Sequence, residues 1–191
     1  GKQAEIKTLA RDLEARSRRL GAVSVLVAET DEQAARLWQA RKALSPALFK
    51  LAPHKINEDI VVPRSRIPDL VAKIDELRQR TGLTMVAFGH AGDGNIHFNI
   101  MLNKSDPAAL KKAHASVETL FDYTLQLGGT ISGEHGVGIT KAPYLQKELG
   151  SHSIRLMRRI KQAFDPQGLL NPGKIFPDRL VSDPEAATPS E

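Results

Sequence analysis

The chain is 191 residues long and 41% hydrophobic, the size of one domain with enough apolar mass for a core. Cysteine is absent, so disulfide scaffolds, zinc ribbons and thiol catalysis are excluded, and any metal must be held by histidine and carboxylate. A net charge of +5 permits an anionic partner, but the basic residues spread over several helical faces with few aromatics between them, so a small anionic substrate fits better than nucleic acid.

The opening stretch is charged and amphipathic without a signal-peptide pattern, and no apolar run is long enough to span a bilayer. Ile6, Leu9, Leu13 and Leu20 predict a helix over residues 2–20, with Gly21 as a left-handed stop. Val23 to Ala28 reads as a buried strand. Thr30-Asp31-Glu32-Gln33 has capping-box spacing and starts a helix over 32–44 that Pro46 is expected to end. Trp38, Arg41 and Ser45 share one face of that helix. A short strand at Ile60 to Val62 precedes a helix carrying Ile67, Leu70, Val71, Ile74 and Leu77, which closes near Gly82.

Met85 to Phe88 and Ile96 to Leu102 read as a hairpin joined through the Gly89 to Asn95 turn. Period-two alternation sends Ile96, Phe98 and Ile100 to an apolar face and Asn95, His97 and Asn99 to the other. Asp106-Pro107 caps a long helix through Leu110, Ala113, Val117, Leu120, Phe121 and Thr124, which ends at Gly128-Gly129. A last helix runs through Ile154, Met157 and Ile160, followed by turns at Asp165-Pro166-Gln167-Gly168 and Asn171-Pro172-Gly173-Lys174. Residues 181–191 have the composition of a disordered tail. Helices alternating with strands and a hairpin predict an α+β sandwich over an antiparallel sheet.

Two glycine-rich segments concentrate chemistry. His90 and His97 bracket the hairpin turn, so their rings can converge, and Glu134 can complete a His2Glu ligand set with one position open. His135 beside it is a candidate acid or base. Single histidines are more often structural, and the glycines alone fit tight loops equally well. A phosphate-cradle reading lacks its fingerprint, since neither segment has the order of a dinucleotide-binding or P-loop motif.

Several stretches together resemble the C-terminal domain of FAD-linked oxidases, the group of D-lactate dehydrogenases, glycolate oxidase flavoprotein subunits and D-2-hydroxyglutarate dehydrogenases. They are Leu37 to Lys42, Glu58-Asp59-Ile60-Val61-Val62-Pro63, the Gly89 to Asn99 hairpin, Gly128 to Gly138, and Phe164-Asp165-Pro166 through Asn171-Pro172-Gly173-Lys174. The resemblance implies a ferredoxin-like sheet covered by helices, with additional C-terminal helices, over residues 1–180. It also implies an FAD-binding domain of the same polypeptide, and that domain and the opening strand of the substrate domain are expected to lie outside this chain.

By the same resemblance His90, His97 and Glu134 ligate a divalent metal, zinc being the common one, and His135 is the general base. Arg41, Lys55 and Asn99 bind substrate, Asn171 lies near the flavin, and Ser45 stands where related enzymes often carry a small hydroxyl residue. The function implied is oxidation of a small 2-hydroxy acid, D-lactate or glycolate, to a 2-oxo acid with hydride transfer to FAD and onward to an unidentified electron acceptor. The full-length protein is expected to be a cytoplasmic or membrane-peripheral enzyme, and this stretch alone inactive. Two further readings are a stand-alone His2Glu metallohydrolase and a non-catalytic binding module.

Overall fold

The computed structural model of the chain describes residues 3–176, so the tail expected at 181–191 lies outside the described residues. The chain divides after Leu48 into two compact units. The first contains α1 (Gln3–Arg19) and α2 (Asp31–Ala47). Helix α1 ends as predicted, with Arg16, Arg18 and Arg19 in its last turn, where cations complement the helix dipole, and with Gly21 at φ 90° just beyond. Its stripe of Ile6, Leu9 and Leu13 is exposed.

Thr30 caps α2 by accepting the Gln33 N–H, while the Gln33 amide oxygen accepts the N–H of Glu29. The reciprocal bond of the capping box thus closes one residue further out. Pro46 does not end the helix: α2 runs through it to Ala47, because a proline in the last turn removes a single N–H. The Leu48 N–H then tightens onto the Ser45 and Pro46 carbonyls. The strand expected at Val23 to Ala28 is irregular, with Val23 and Leu26 exposed. An apolar run becomes a strand only when a ladder partner satisfies its backbone, and no such partner occurs here among the described residues.

The second unit orders β1 (His54–Val61), α3 (Ile67–Thr81), β2 (Thr84–His90), β3 (Asn95–Leu102), α4 (Pro107–Gln126) and α5 (Leu145–Phe164). The sheet is antiparallel in the order β1-β3-β2. Past α4, Thr130 pairs with Val61 on the outer edge of β1, where the βαββαβ arrangement of ferredoxin-like folds would add a fourth strand. The α+β class is therefore as predicted. Strand β1 is longer than the Ile60 to Val62 segment expected, because its first residues are mostly polar and carry no apolar alternation.

Ile60, Ile96, Phe98, Ile100 and Leu102 form the apolar side of the sheet and pack with Leu70, Ile74 and Leu77 of α3 and Val117, Leu120 and Phe121 of α4. The opposite side carries the polar partners of the register: Asp59 opposite His97, Asn57 opposite Asn99, and His90 opposite Asn95. Since β3 lies between two strands, even its polar side is buried. Helix α5 starts nine residues before the first apolar residue of its predicted stripe and is kinked at Gly150, φ 72°.

Phe98 is fully buried at the sheet centre, whereas Val71 on α3 is 40% exposed. Phe98→Ala is expected to destabilise the protein by about 3–5 kcal/mol and Val71→Ala by about 0.5 kcal/mol or less, as read from denaturant midpoints.

Candidate functional site

The hairpin turn is built by its own polar groups. The Gly94 N–H bonds the His90 carbonyl at 3.0 Å, and the Asp93 side chain accepts the Asn95 N–H at 3.0 Å. Gly94 sits at φ 82°, and a Cβ there would collide with the Val62 carbonyl oxygen. His90 therefore ends β2 and His97 sits on the second turn of the pleat in β3, with their ring centroids 5.5 Å apart.

The Gly133-Glu134-His135 loop is drawn onto this face by one buried carboxylate. Oδ2 of Asp59 accepts three successive backbone N–H groups, Gly133 at 2.8 Å, Glu134 at 2.6 Å and His135 at 3.0 Å. Successive N–H groups of this kind form an anion nest, and here a side chain of the same chain fills it. A phosphate-cradle reading of this loop fails for that reason. Gly133 is required by close approach, since a Cβ would press on the Val61 and Asn95 side chains.

Glu134 thereby reaches His97, with Oε1 3.0 Å from Nε2. One ligand-type atom each from His90, His97 and Glu134 lies within 4.8 Å of the others, a donor set of two imidazoles and a carboxylate suited to a divalent first-row ion. Burial holds the His97 pKa below its ordinary value, with Glu134 pulling it up and His135 and His90 down. The neutral imidazole that coordinates metals is thus favoured. The His135 ring stacks on that of His97 at 5.4 Å and is about half exposed.

Lys141 completes the arrangement. Its ammonium is buried, donates to the Asp59 carbonyl oxygen at 2.8 Å and pairs with Asp59 Oδ1, and lies 3.9 Å from Glu58 Oε2. Asp59 and Glu58 are chain neighbours pointing to opposite sides of β1, and their environments drive them apart. Burial pushes Asp59 up, but the Lys141 ammonium and the N–H groups of Glu134 and His135 outweigh it and hold the carboxyl at about 2. Burial lifts Glu58 to about 7, opposed by Lys141 and reinforced by Asp59.

Four of the predicted site residues, His90, His97, Glu134 and His135, come together. Asn99 shares their side of the sheet but is fully buried; its amide donates to the Val86 and His97 carbonyls, each at 3.3 Å, and accepts from Asn57 at 2.8 Å. Lys55 is on the same side of β1, its ammonium 5.5 Å from the Phe49 ring centroid. Arg41 and Ser45 stand on α2 of the first unit. Asn171 adopts φ 48° after α5 and lines a cavity of about 370 Å³ with Arg158, Lys161 and Lys174. Asp59 and Lys141 are the site residues that sequence reasoning missed; a lysine in a glycine-rich loop and an acidic pair entering an apolar run were the available signals.

Residues 1–175 match the family described as FAD linked oxidases, C-terminal domain. The chain is 40% identical over 173 residues to the glycolate oxidase subunit GlcD of Bacillus subtilis, covering 89% of this chain and 37% of the relative. It is 35% identical to the mitochondrial D-lactate dehydrogenase [cytochrome] of Arabidopsis thaliana, covering 81% and 28%. It is 37% identical to the D-2-hydroxyglutarate dehydrogenase of Xanthomonas citri pv. viticola, covering 79% and 32%. The chain thus spans about a third of the length of these curated relatives. The 4-ethylphenol oxidase of Gulosibacter chungangensis, solved as an isoeugenol complex, shares the fold at TM-score 0.53 and 23% identity over 81% of this chain and 32% of that one.

A carboxyl whose folded pKa lies above its ordinary value favours the folded state at low pH and loses that contribution as the pH rises through about 7. Between about pH 5 and pH 8 the wild type should lose on the order of 2–3 kcal/mol that Glu58→Gln retains. Denaturant midpoints of the two proteins across that range check this, and parallel pH profiles would refute it.

Proposed function

The chain belongs to the C-terminal domain family of FAD-linked oxidases, and from that premise we propose that it is the substrate- and metal-binding part of an FAD-dependent D-2-hydroxyacid dehydrogenase. The observation that carries the reading is the convergence of His90, His97 and Glu134 beside a half-exposed His135 on one side of the sheet. D-Lactate and glycolate are the proposed substrates, in keeping with the names of the relatives.

Their two imidazoles and carboxylate make His90, His97 and Glu134 the residues to hold a divalent ion, zinc in this proposal, which supplies a Lewis acid that lowers the pKa of a hydroxyl group. His135 accepts the hydroxyl proton through its outer ring nitrogen. FAD, when bound, would supply the acceptor for the carbinol hydrogen and its electron pair, which would turn the 2-hydroxy acid into a 2-oxo acid. Arg41, and with it Lys55, takes the substrate carboxylate by family resemblance; a guanidinium suits that role because it binds carboxylates bidentately. Asn99 is assigned to the substrate's carboxylate and hydroxyl region by the same resemblance, and its amide also donates to the His97 carbonyl.

The Gly133-Glu134-His135 loop is not available to the cofactor's phosphates, because its three N–H groups are already taken by Asp59, and the other glycine segments lack a phosphate-binding fingerprint. FAD is accordingly assigned to the remainder of the polypeptide, with Asn171 near the ring system. Among the described residues no helix is long and apolar enough to cross a membrane. A cytoplasmic or membrane-peripheral enzyme passing electrons to a separate acceptor is the proposed setting. Family membership favours this over a stand-alone metallohydrolase, and the assembled donor set favours it over a non-catalytic module.

Elemental analysis of the full-length protein should find one divalent ion per chain, reduced at least several-fold in His97→Ala; equal content in both would remove His97 from the centre. In the same protein His135→Ala is expected to lower kcat about a hundred- to ten-thousand-fold with a small change in KM. Arg41→Ala should instead raise KM for D-lactate or glycolate about ten- to hundred-fold. Unchanged flavin reduction by His135→Ala in single turnover would end the general-base assignment.

A further inference from the structure

His135 is attached to Asp59 at two points. Its backbone N–H donates to Oδ2 at 3.0 Å, and its ring Nδ1 lies 3.3 Å from Oδ1. The first contact fixes where the residue starts and the second fixes how the ring is turned. Asp59 is fully buried and the Lys141 ammonium neutralises it, so its charge persists without solvent.

A neutral imidazole carries its proton on one nitrogen only. Were Nδ1 unprotonated, its lone pair would face a carboxylate oxygen, an acceptor against an acceptor. The Lys141 donors do not relieve this, being directed at the Asp59 carbonyl and carboxylate and towards Glu58. With the proton on Nδ1 the contact becomes a charge-assisted attraction, and Nε2 is left with its lone pair outward.

We propose that Asp59, held in place by Lys141, is a positioning residue that locks His135 in the Nδ1–H tautomer and so presents Nε2 as the proton acceptor. Its three loop N–H bonds and its ring contact come from the two oxygens of one carboxylate, so the element that carries Glu134 to His97 also sets the state of the base. The catalytic consequence rests on the oxidation reading; the tautomer does not.

Asp59→Asn tests the role. The amide oxygen can still accept the loop N–H groups. The NH2 in place of Oδ1 gives up the Lys141 pairing, leaving that ammonium its bond to the backbone carbonyl, and demands an acceptor at Nδ1 of His135, which moves the proton to Nε2. The test is nitrogen NMR of the full-length, metal-loaded protein labelled at histidine, with His135 assigned by its loss in His135→Gln. Wild type is expected to show protonated Nδ1 and unprotonated Nε2, and Asp59→Asn the reverse. With metal content retained, kcat for D-lactate or glycolate should fall about a hundred-fold or more, with KM within a few-fold. A proton on Nε2 in the neutral wild type overturns the proposal without any variant, as does an unchanged tautomer in a folded Asp59→Asn. If the tautomers behave as stated but neither hydroxy acid reduces the wild-type flavin, the positioning role stands and the substrate assignment falls.

Discussion

A carboxylate removed from water is tolerated only when its lone pairs find donors, and Asp59 sits under that constraint near the C-terminal end of β1. Oδ2 is filled by three consecutive N–H groups and Oδ1 by Lys141, with the His135 ring nitrogen 3.3 Å from the same oxygen. The loop is therefore shaped around the oxygen rather than the oxygen fitted to a loop. Because Asp59 lies opposite His97 in the strand register, the loop it gathers arrives over the imidazole pair of the hairpin. Ligand types separated along the chain by almost forty residues meet through the needs of one buried charge.

Glu58 and Asp59 illustrate how little sequence distance matters beside environment. The strand pleat puts them on opposite sides, one amid the hydrophobic core and one amid polar donors. A single ammonium reaches both from the edge, close to one and remote from the other. The neighbour with full compensation stays ionised, while the other gains or loses its proton at about pH 7.

The hairpin, α3, α4 and the two-sided character of β3 were legible because local signals agree there: glycines at the turn, Asp106 and Pro107 at a helix start, and apolar residues at the right period. Strand β1 was legible only at its apolar end, since the residues before it include Lys55, Asn57 and Asp59 on the side of the site and Glu58 on the core side, which breaks the apolar alternation. Val23 to Ala28 shows the reverse, a strand-like composition without a ladder partner among the described residues. The histidines and Glu134 could be singled out by type and spacing. The Asp59–Lys141 pair could not, because it joins positions 82 apart whose adjacency depends on strand register and on the path after α4. Arg41 and Asn171 are assigned roles through family resemblance; the one local signal for Arg41 is the helical face it shares with Trp38 and Ser45, and Asn171 has none.

The outer edge of β1 is covered at its C-terminal end. Thr130 exchanges two backbone bonds with Val61, and the next outward carbonyl, that of Asp59, is capped by the Lys141 side chain instead of by another strand. A free strand edge is a template on which foreign chains can stack, and a buried ammonium lying across it is a strong deterrent to such growth. Loss of Lys141 would strip charge compensation from Asp59 and open the edge in the same stroke. A damaged site in this fold is thus also a sticky one, and misassembly should accompany inactivity when this lysine is lost.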